Sequence, residues 1–327
     1  MDPLSDVLRA VRLNGAFFYL VEASPPWSTA SVAARDLMPR VLPAAEHLIS
    51  YHILLSGACW GGLEGRQVCM EPGDVIVFPH GDPHVMSSDA GRRMPGDDAS
   101  AAPNRYPGTV YLGAEPRRET RFVCGFLGCD ARPFNPLLAS LPRCMHLPGA
   151  AGGWLAQFPQ QVVEESRLGR LGSETILTRM AELMFVEVVR RHVERSSGQN
   201  AGWLSGLRDP VVGPALVQLH ERPAHPWTLQ ELAAAIATSR TVLAERFTEL
   251  VGIPPMAYLA RWRMQLASEQ LTLGSTKVAA IASRVGYESE AAFSRAFKRE
   301  TGSSPAAWRR KRLGDAAAPA AATVSAQ

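Results

Sequence analysis

The sequence predicts a multidomain protein, with a strand-rich N-terminal part and an all-α C-terminal third. Three observations predict it. Short runs of aromatic and β-branched residues, bounded by Gly and Pro, recur through residues 1–145. A helical unit around residues 229–258 returns fifty positions later. Between the two copies, residues 255–273 contain no internal Gly or Pro and favour helix.

At 327 residues the chain is long enough for two domains with their own cores. Its 46% hydrophobic and 20% charged residues are ordinary for a globular protein. No apolar run is long enough to cross a bilayer. The opening "MDPLSDVLRAVRLNG" lacks a basic-then-apolar leader pattern. The expected location is the cytoplasm, with no membrane partner. Five cysteines, odd in number and without CxxC spacing, fit reduced thiols rather than a disulfide framework. Charge is unevenly placed. Residues 209–312 hold 14 Lys and Arg against 9 Asp and Glu, and the remainder holds 20 against 22. A basic C-terminal third suits a polyanion partner, although a solvated charged surface would look the same on charge alone.

Taken in order, "FFYLVEA", "SYHILLSGACW", "VIVFP" and "TVYLG" are the predicted strands. Residues 87–107, rich in Asp, Ala, Gly and Pro, are the expected loop within the sheet domain. The first domain is assigned to residues 1–150. Residues 151–196 form a helical connector, in which Ile176, Met180, Leu183, Met184 and Val188 recur at helical spacing. That stripe either closes the sheet domain or joins two copies of the chain. A linker follows at 197–208, then the helical domain at 209–312 and a low-complexity tail at 313–327, expected to be disordered.

In the repeat, Ser239 aligns with Ser289, Phe247 with Phe297, Gly252 with Gly302 and Pro255 with Pro305. Upstream the register slips by one, so that Leu232 meets Ile281. The slip predicts a turn one residue longer in the second copy. Each copy reads as a short helix, a tight turn and a second helix capped by Ser239 or Ser289, which is a helix-turn-helix. In the second helix of the later copy, Ala292, Phe293, Ala296 and Phe297 are the expected buried stripe. The candidate DNA-facing residues are Ser289, Glu290, Ala291, Ser294, Arg295, Lys298 and Arg299. In the earlier copy they are Ser239, Arg240, Thr241, Ala244, Glu245 and Arg246. Small residues around long polar ones let a helix enter a major groove closely. Arg295 has the fork that pairs with guanine. The segment 255–273, as one helix, would span roughly 28 Å, close to the rise of one DNA turn, roughly 34 Å.

The motifs "WTLQELAAAIATSRTVLAERFTELVGIPPMAYLARWRMQLASEQL" and "VAAIASRVGYESEAAFSRAFKRETGSSPAAWR" resemble the DNA-binding domain of AraC/XylS-type bacterial transcription regulators. The resemblance covers about a third of the chain. It implies sequence-specific binding to double-stranded promoter DNA, contact with RNA polymerase and a homodimer. One departure is Glu245, on a face where members often carry Arg or another long donor. Glu accepts from cytosine N4 but repels phosphate, so base reading is assigned more firmly to the second motif.

Further upstream, "GDVIVFPHGDPH" has the spacing of the second motif of cupin β-barrels, and "YHILLSGACWGGLEG" resembles the strands before it. The resemblance implies a small jelly-roll barrel with a pocket for an unknown small-molecule effector. Its candidate lining is His52, Trp60, Phe78 and His84. The usual first-motif metal ligands are replaced by Pro43, Ala45 and Ser50. His52, Cys59, His80 and His84 make a different nitrogen-and-sulfur set that would suit zinc or another divalent metal; the alternative is packed or solvent-facing side chains. No cofactor is otherwise expected. The resulting expectation is an effector-responsive transcription regulator that is not an enzyme. A metal-dependent cupin enzyme with a DNA-binding appendage and a ligand-independent architectural DNA binder are the alternatives.

Overall fold

In the computed structural model, the described residues are 2–43, 45–91, 108–113, 119–149, 157–168, 170–195 and 202–317. They group into two units. One comprises Leu13–Cys129 and Pro142–Glu194; the other comprises Met1–Arg12, Asp130–Leu141 and Arg195–Gln327.

The first unit carries the strands β1 (Asn14–Ala23), β2 (Ser28–Ser31), β3 (His47–Ser56), β4 (Cys59–Leu63), β5 (Arg66–Met70), β6 (Val75–Phe78), β7 (His84–Ser87), β8 (Thr109–Leu112), β9 (Thr120–Cys129) and β10 (Met145–Leu147). Its helices are α2 (Ala34–Val41), α4 (Phe158–Leu168) and α5 (Ser173–Arg195). A six-stranded sheet runs β10-β6-β3-β9-β1-β8 and a four-stranded sheet runs β2-β7-β4-β5. Only the β1–β8 pair is parallel among the described pairings. Leu54, Ile76, Phe78 and Phe122 from the larger sheet meet Cys59, Met70 and Met86 from the smaller, together with Trp27 just before β2, in one core. Trp27 stacks on Phe122 with ring centroids 5.4 Å apart. Outside this core two glycines permit close approaches. A Cβ on Gly125 would fall 2.2 Å from Tyr51 Cζ, and one on Gly81 (φ +64°) would meet Ala34 Cβ at 2.6 Å. Buried Asp74 ties β6 to β10: it accepts from Gly149 N at 2.7 Å and Glu71 N at 3.1 Å, and lies 2.8 Å from His146 Nε2. Of the expected loop at 87–107, residues 92–107 lie outside the described residues.

Helices α1 (Pro3–Ala10), α3 (Pro136–Ser140), α6 (Trp203–Gly206), α7 (Val212–Glu221), α8 (Leu229–Ala235), α9 (Arg240–Val251), α10 (Pro255–Leu273), α11 (Val278–Arg284), α12 (Glu290–Thr301) and α13 (Pro305–Ala317) form the second unit. Two stretches inside the 1–150 assignment therefore pack with the C-terminal helices. Their anchor is Gln265, buried on α10. Its Nε2 donates to Ala10 O at 2.9 Å, and its Oε1 accepts from Phe134 N at 3.1 Å. Asp130 accepts from Arg12 Nη2 at 2.9 Å and Arg312 Nη1 at 3.4 Å. The stretch read as a linker at 197–208 contains α6, because Trp203 and Leu204 are buried and Trp203 Nε1 donates to Tyr258 Oη at 2.8 Å. Residues 196–201 lie outside the described residues. Helix α13 takes in residues 313–317 of the expected tail, and 318–327 are not described.

Candidate nucleic-acid interface and sensor core

Both recognition helices start and stop by the same devices. Ser239 accepts from Val242 N, and Ser289 from Ala292 N, each at 3.2 Å. Gly252 (φ +83°) and Gly302 (φ +76°) close α9 and α12 in the left-handed conformation. The turns before them differ by one residue. Ala237 N bonds Ala234 O and Thr238 N bonds Ala233 O; Gly286 N bonds Ser283 O and Tyr287 N bonds Ala282 O. Ala237 (φ +53°) and Gly286 (φ +83°) are thus equivalent, and Glu288 is the extra residue.

On α12, Phe293, Ala296 and Phe297 are buried, while Ala292 is half-buried rather than fully covered. Glu290, Ala291, Arg295, Lys298 and Arg299 are exposed and Ser294 is half-buried. Arg299 Nε stands 3.6 Å from Glu300 Oε1. On α9, Arg240, Thr241 and Glu245 are exposed and Ala244 is half-buried. Arg246 is otherwise engaged: its Nε donates to Asp209 Oδ2 and its Nη1 to Glu249 Oε2, both at 2.9 Å. Asp209 also accepts from Val211 N and Val212 N at 2.9 Å, so Arg246 ties α9 to the start of α7. Val242, which the sequence reading left unassigned, is 46% exposed in the first turn of α9. An apolar residue at an exposed early position was the signal available for it.

In the sheet unit the histidines form a chain of hydrogen bonds. His84 Nδ1 lies 2.8 Å from Asp82 O, so that nitrogen carries a proton. His84 Nε2 must then accept from His52 Nε2, 2.7 Å away. His52 Nδ1 is left as the acceptor for the Cys124 thiol at 2.8 Å, and the Tyr19 hydroxyl bonds that sulfur in turn. Each neutral group donates once along the chain. A second proton on His84 would set N–H against N–H. Burial holds His52 well below the ordinary histidine value, helped by His84, and holds His84 at about 4. Burial also pushes the Cys124 thiol and the Tyr19 phenol upward. Cys124 and Tyr19 escaped the sequence reading because their place depends on the register His52↔Cys124 and Tyr19↔Cys124, which no local pattern reveals.

Of the candidate nitrogen-and-sulfur set, His52, Cys59 and His84 are buried and His80 is exposed. Among the described residues no group of three or more His, Cys, Asp or Glu is placed to hold a metal ion. The candidate effector residues also separate. His52 and Phe78 are in the packed core, with Phe78 stacked on His84 at 3.8 Å. His84 lines a cleft of about 380 Å³ with Ser31, Arg35, Asp36 and Glu64, whereas Trp60 lines one of about 320 Å³ with Glu64, Gln67 and Val85.

Residues 2–194, more than half the chain, match the Cupin family, and residues 232–311 match the Helix-turn-helix domain family. An AraC-like transcription regulator of Streptomyces antibioticus is 32% identical over 314 residues, covering 95% of this chain and 99% of that protein. The transcriptional regulator AlkR of Acinetobacter baylyi is 28% identical over 319 residues, covering 95% and 100%. The solved DNA-binding domain of AdpA in complex with a target DNA is 30% identical, covers 32% of this chain and 95% of that one, and superposes with a TM-score of 0.31. With its capped pair of helix-turn-helix motifs behind a cupin domain, this chain belongs to the AraC-like family of DNA-binding transcription regulators.

Proposed function

We propose that this regulator binds promoter DNA through both recognition helices, as a homodimer, and that a small molecule held by the cupin domain alters that binding. The observation that carries the reading is the matched capping of α9 and α12 with DNA-suited side chains left exposed on each. Arg295 is assigned to a guanine, and Lys298 and Arg299 to phosphate or base edges. On α9, Val242 suits a thymine methyl group and Glu245 a cytosine N4. Arg246 is assigned to holding α9 in place.

Dimerisation is assigned to α5, where Ile176 is 46% and Leu183 57% exposed and Met180 is half-buried. Met184 belongs to the core of its own chain, being fully buried. The effector is assigned to the neighbouring clefts over His84 and Trp60, which share Glu64 and Val85. It acts only if it favours one DNA-binding arrangement over another. RNA polymerase is the expected protein partner and the cytoplasm the place of action. The protein's work is regulation rather than catalysis.

The test is selection of sites from random DNA with the full chain, followed by footprinting. One motif with two boxes about a helical turn apart is expected. Binding without sequence preference at moderate salt would overturn base reading. No change in affinity or melting with any metabolite tried against Trp60 and His84 variants would remove the effector.

A further inference from the structure

We propose that Arg263 is a positioning residue that fixes the spacing between the two recognition helices, and with it the spacing of the two DNA boxes this regulator accepts. The proposal rests on both helices entering DNA. Arg263 stands midway along α10, where the cores of the two motifs meet. Tyr258 packs edge-on against Phe247 of α9, with centroids 5.6 Å apart. From Met264 onward, α10 packs with α11 and α12. A single helix joining two such cores leaves each motif free to tilt about its own end.

The half-buried guanidinium removes that freedom. Its Nε donates to Pro223 O at 2.6 Å and its Nη2 to His225 O at 2.7 Å, both in the loop that leads into the first motif. On its other side, Nη1 donates to Gly286 O at 3.5 Å in the turn of the second motif. The guanidinium also lies 5.9 Å from the ring centre of Tyr287, which meets Phe293 of α12 edge-on. The loop is tied to α8 by His225 Nε2, 2.6 Å from Glu231 Oε1. Loop and turn touch directly, because a Cβ on Gly286 would fall 2.5 Å from Ala224 O. One planar cation with five donors therefore binds backbone from both motifs. A lysine, with a single ammonium, cannot span the three carbonyls.

The consequence falls on DNA spacing. Moving one box by one base pair shifts it by about 3.4 Å and turns it by roughly 35°. A rigid pair of helices cannot follow, whereas a loosened pair can. The experiment compares the full-length parent with Arg263→Lys and Arg263→Gln on operators whose box spacing is changed by one and two base pairs. The parent is expected to lose about tenfold in affinity per misplaced base pair. The variants are expected to narrow that ratio to about twofold while keeping parental affinity for one isolated box. Equal weakening at all spacings, or an unchanged ratio, overturns the proposal. Spin labels on Arg240 and Glu290, introduced through a non-natural amino acid, report the helix-to-helix distance without DNA. A distance distribution as narrow in both variants as in the parent also overturns it. A parent without sequence preference would instead overturn the two-helix reading, and the label distances would still decide the rigidity.

Discussion

Gly286 and Ala237 occupy the same turn position in the two motifs, and exchanging their residue types should move stability in opposite directions. Gly286→Ala places a Cβ at φ +83° and 2.5 Å from the carbonyl oxygen of Ala224. The left-handed conformation costs a non-glycine residue about 1–2 kcal/mol. Relieving the clash moves backbone rather than a flexible side chain, for another 1–3 kcal/mol or so. The expected loss is about 2–5 kcal/mol. Ala237 already bears the first cost at φ +53°, and its methyl is exposed. Ala237→Gly should therefore gain about 0.5–1 kcal/mol, the relief of strain less the entropy of a freer chain. Amide hydrogen exchange of the full chain, read in peptides over α8–α9 and α11–α12, measures both locally. A Gly286→Ala protein whose α11–α12 amides keep protection within about 0.5 kcal/mol of the parent would refute the argument.

Four other outcomes follow from the same geometry. Arg295→Ala should cost about 1–3 kcal/mol of binding and relax preference at one base; uniform loss across sequences in competition binding would make Arg295 a phosphate contact. Gln265→Leu should destabilise the helical unit by about 1–3 kcal/mol for each backbone group it orphans, Ala10 O and Phe134 N, as read by urea denaturation. Cys124→Ala should lower the melting temperature of the cupin unit by leaving His52 Nδ1 unpaired, about 1–3 kcal/mol; Cys124→Ser keeps the donor and should cost less. His84 has a folded value of about 4 against an ordinary 6.5, so its contribution is present above pH 6.5 and is lost as pH falls toward 4. At about 1.4 kcal/mol per pH unit the loss approaches 3 kcal/mol, and His84→Gln should flatten that part of the stability profile.

The parts of this molecule legible from the sequence are those set by local chemistry. Ser239 and Ser289 announce helix starts, Gly252 and Gly302 announce stops, and a one-residue slip in the repeat announces a longer second turn, whose extra residue the structure identifies as Glu288. The spacing from Gly73 to His84 marked the β6–β7 corner. What was not legible depends on partners distant in sequence. Arg246 reads as a DNA contact on helical geometry alone, and its ion pair with Asp209, 37 residues away, leaves no local mark. His52 reads as a ligand or pocket residue, and its hydrogen bond to Cys124 comes from a strand register that no local pattern shows. Residues 2–12 and 130–141 carry no local mark of the bonds to α10, because Gln265 recognises their backbone rather than their side chains.

The two recognition helices also differ in what they offer a polyanion. Between Arg240 and Val251 the charges sum to zero, and the ion pairs of Arg246 leave less of its cation for phosphate. Between Glu290 and Thr301 the sum is +1, with Arg295 and Lys298 exposed. Counterion release, and hence salt dependence, should arise mainly at the second motif. On the proposed reading the first motif contributes what charge does not, through apolar contact at Val242 and acceptance at Glu245. Such contacts are weak unless the helix is presented at a fixed distance and angle. A helix with little electrostatic attraction of its own gains specificity only by being held rigidly to one that has it. That is why the bonds of Arg263 to both motifs matter more in this chain than they would in one with two strongly basic helices.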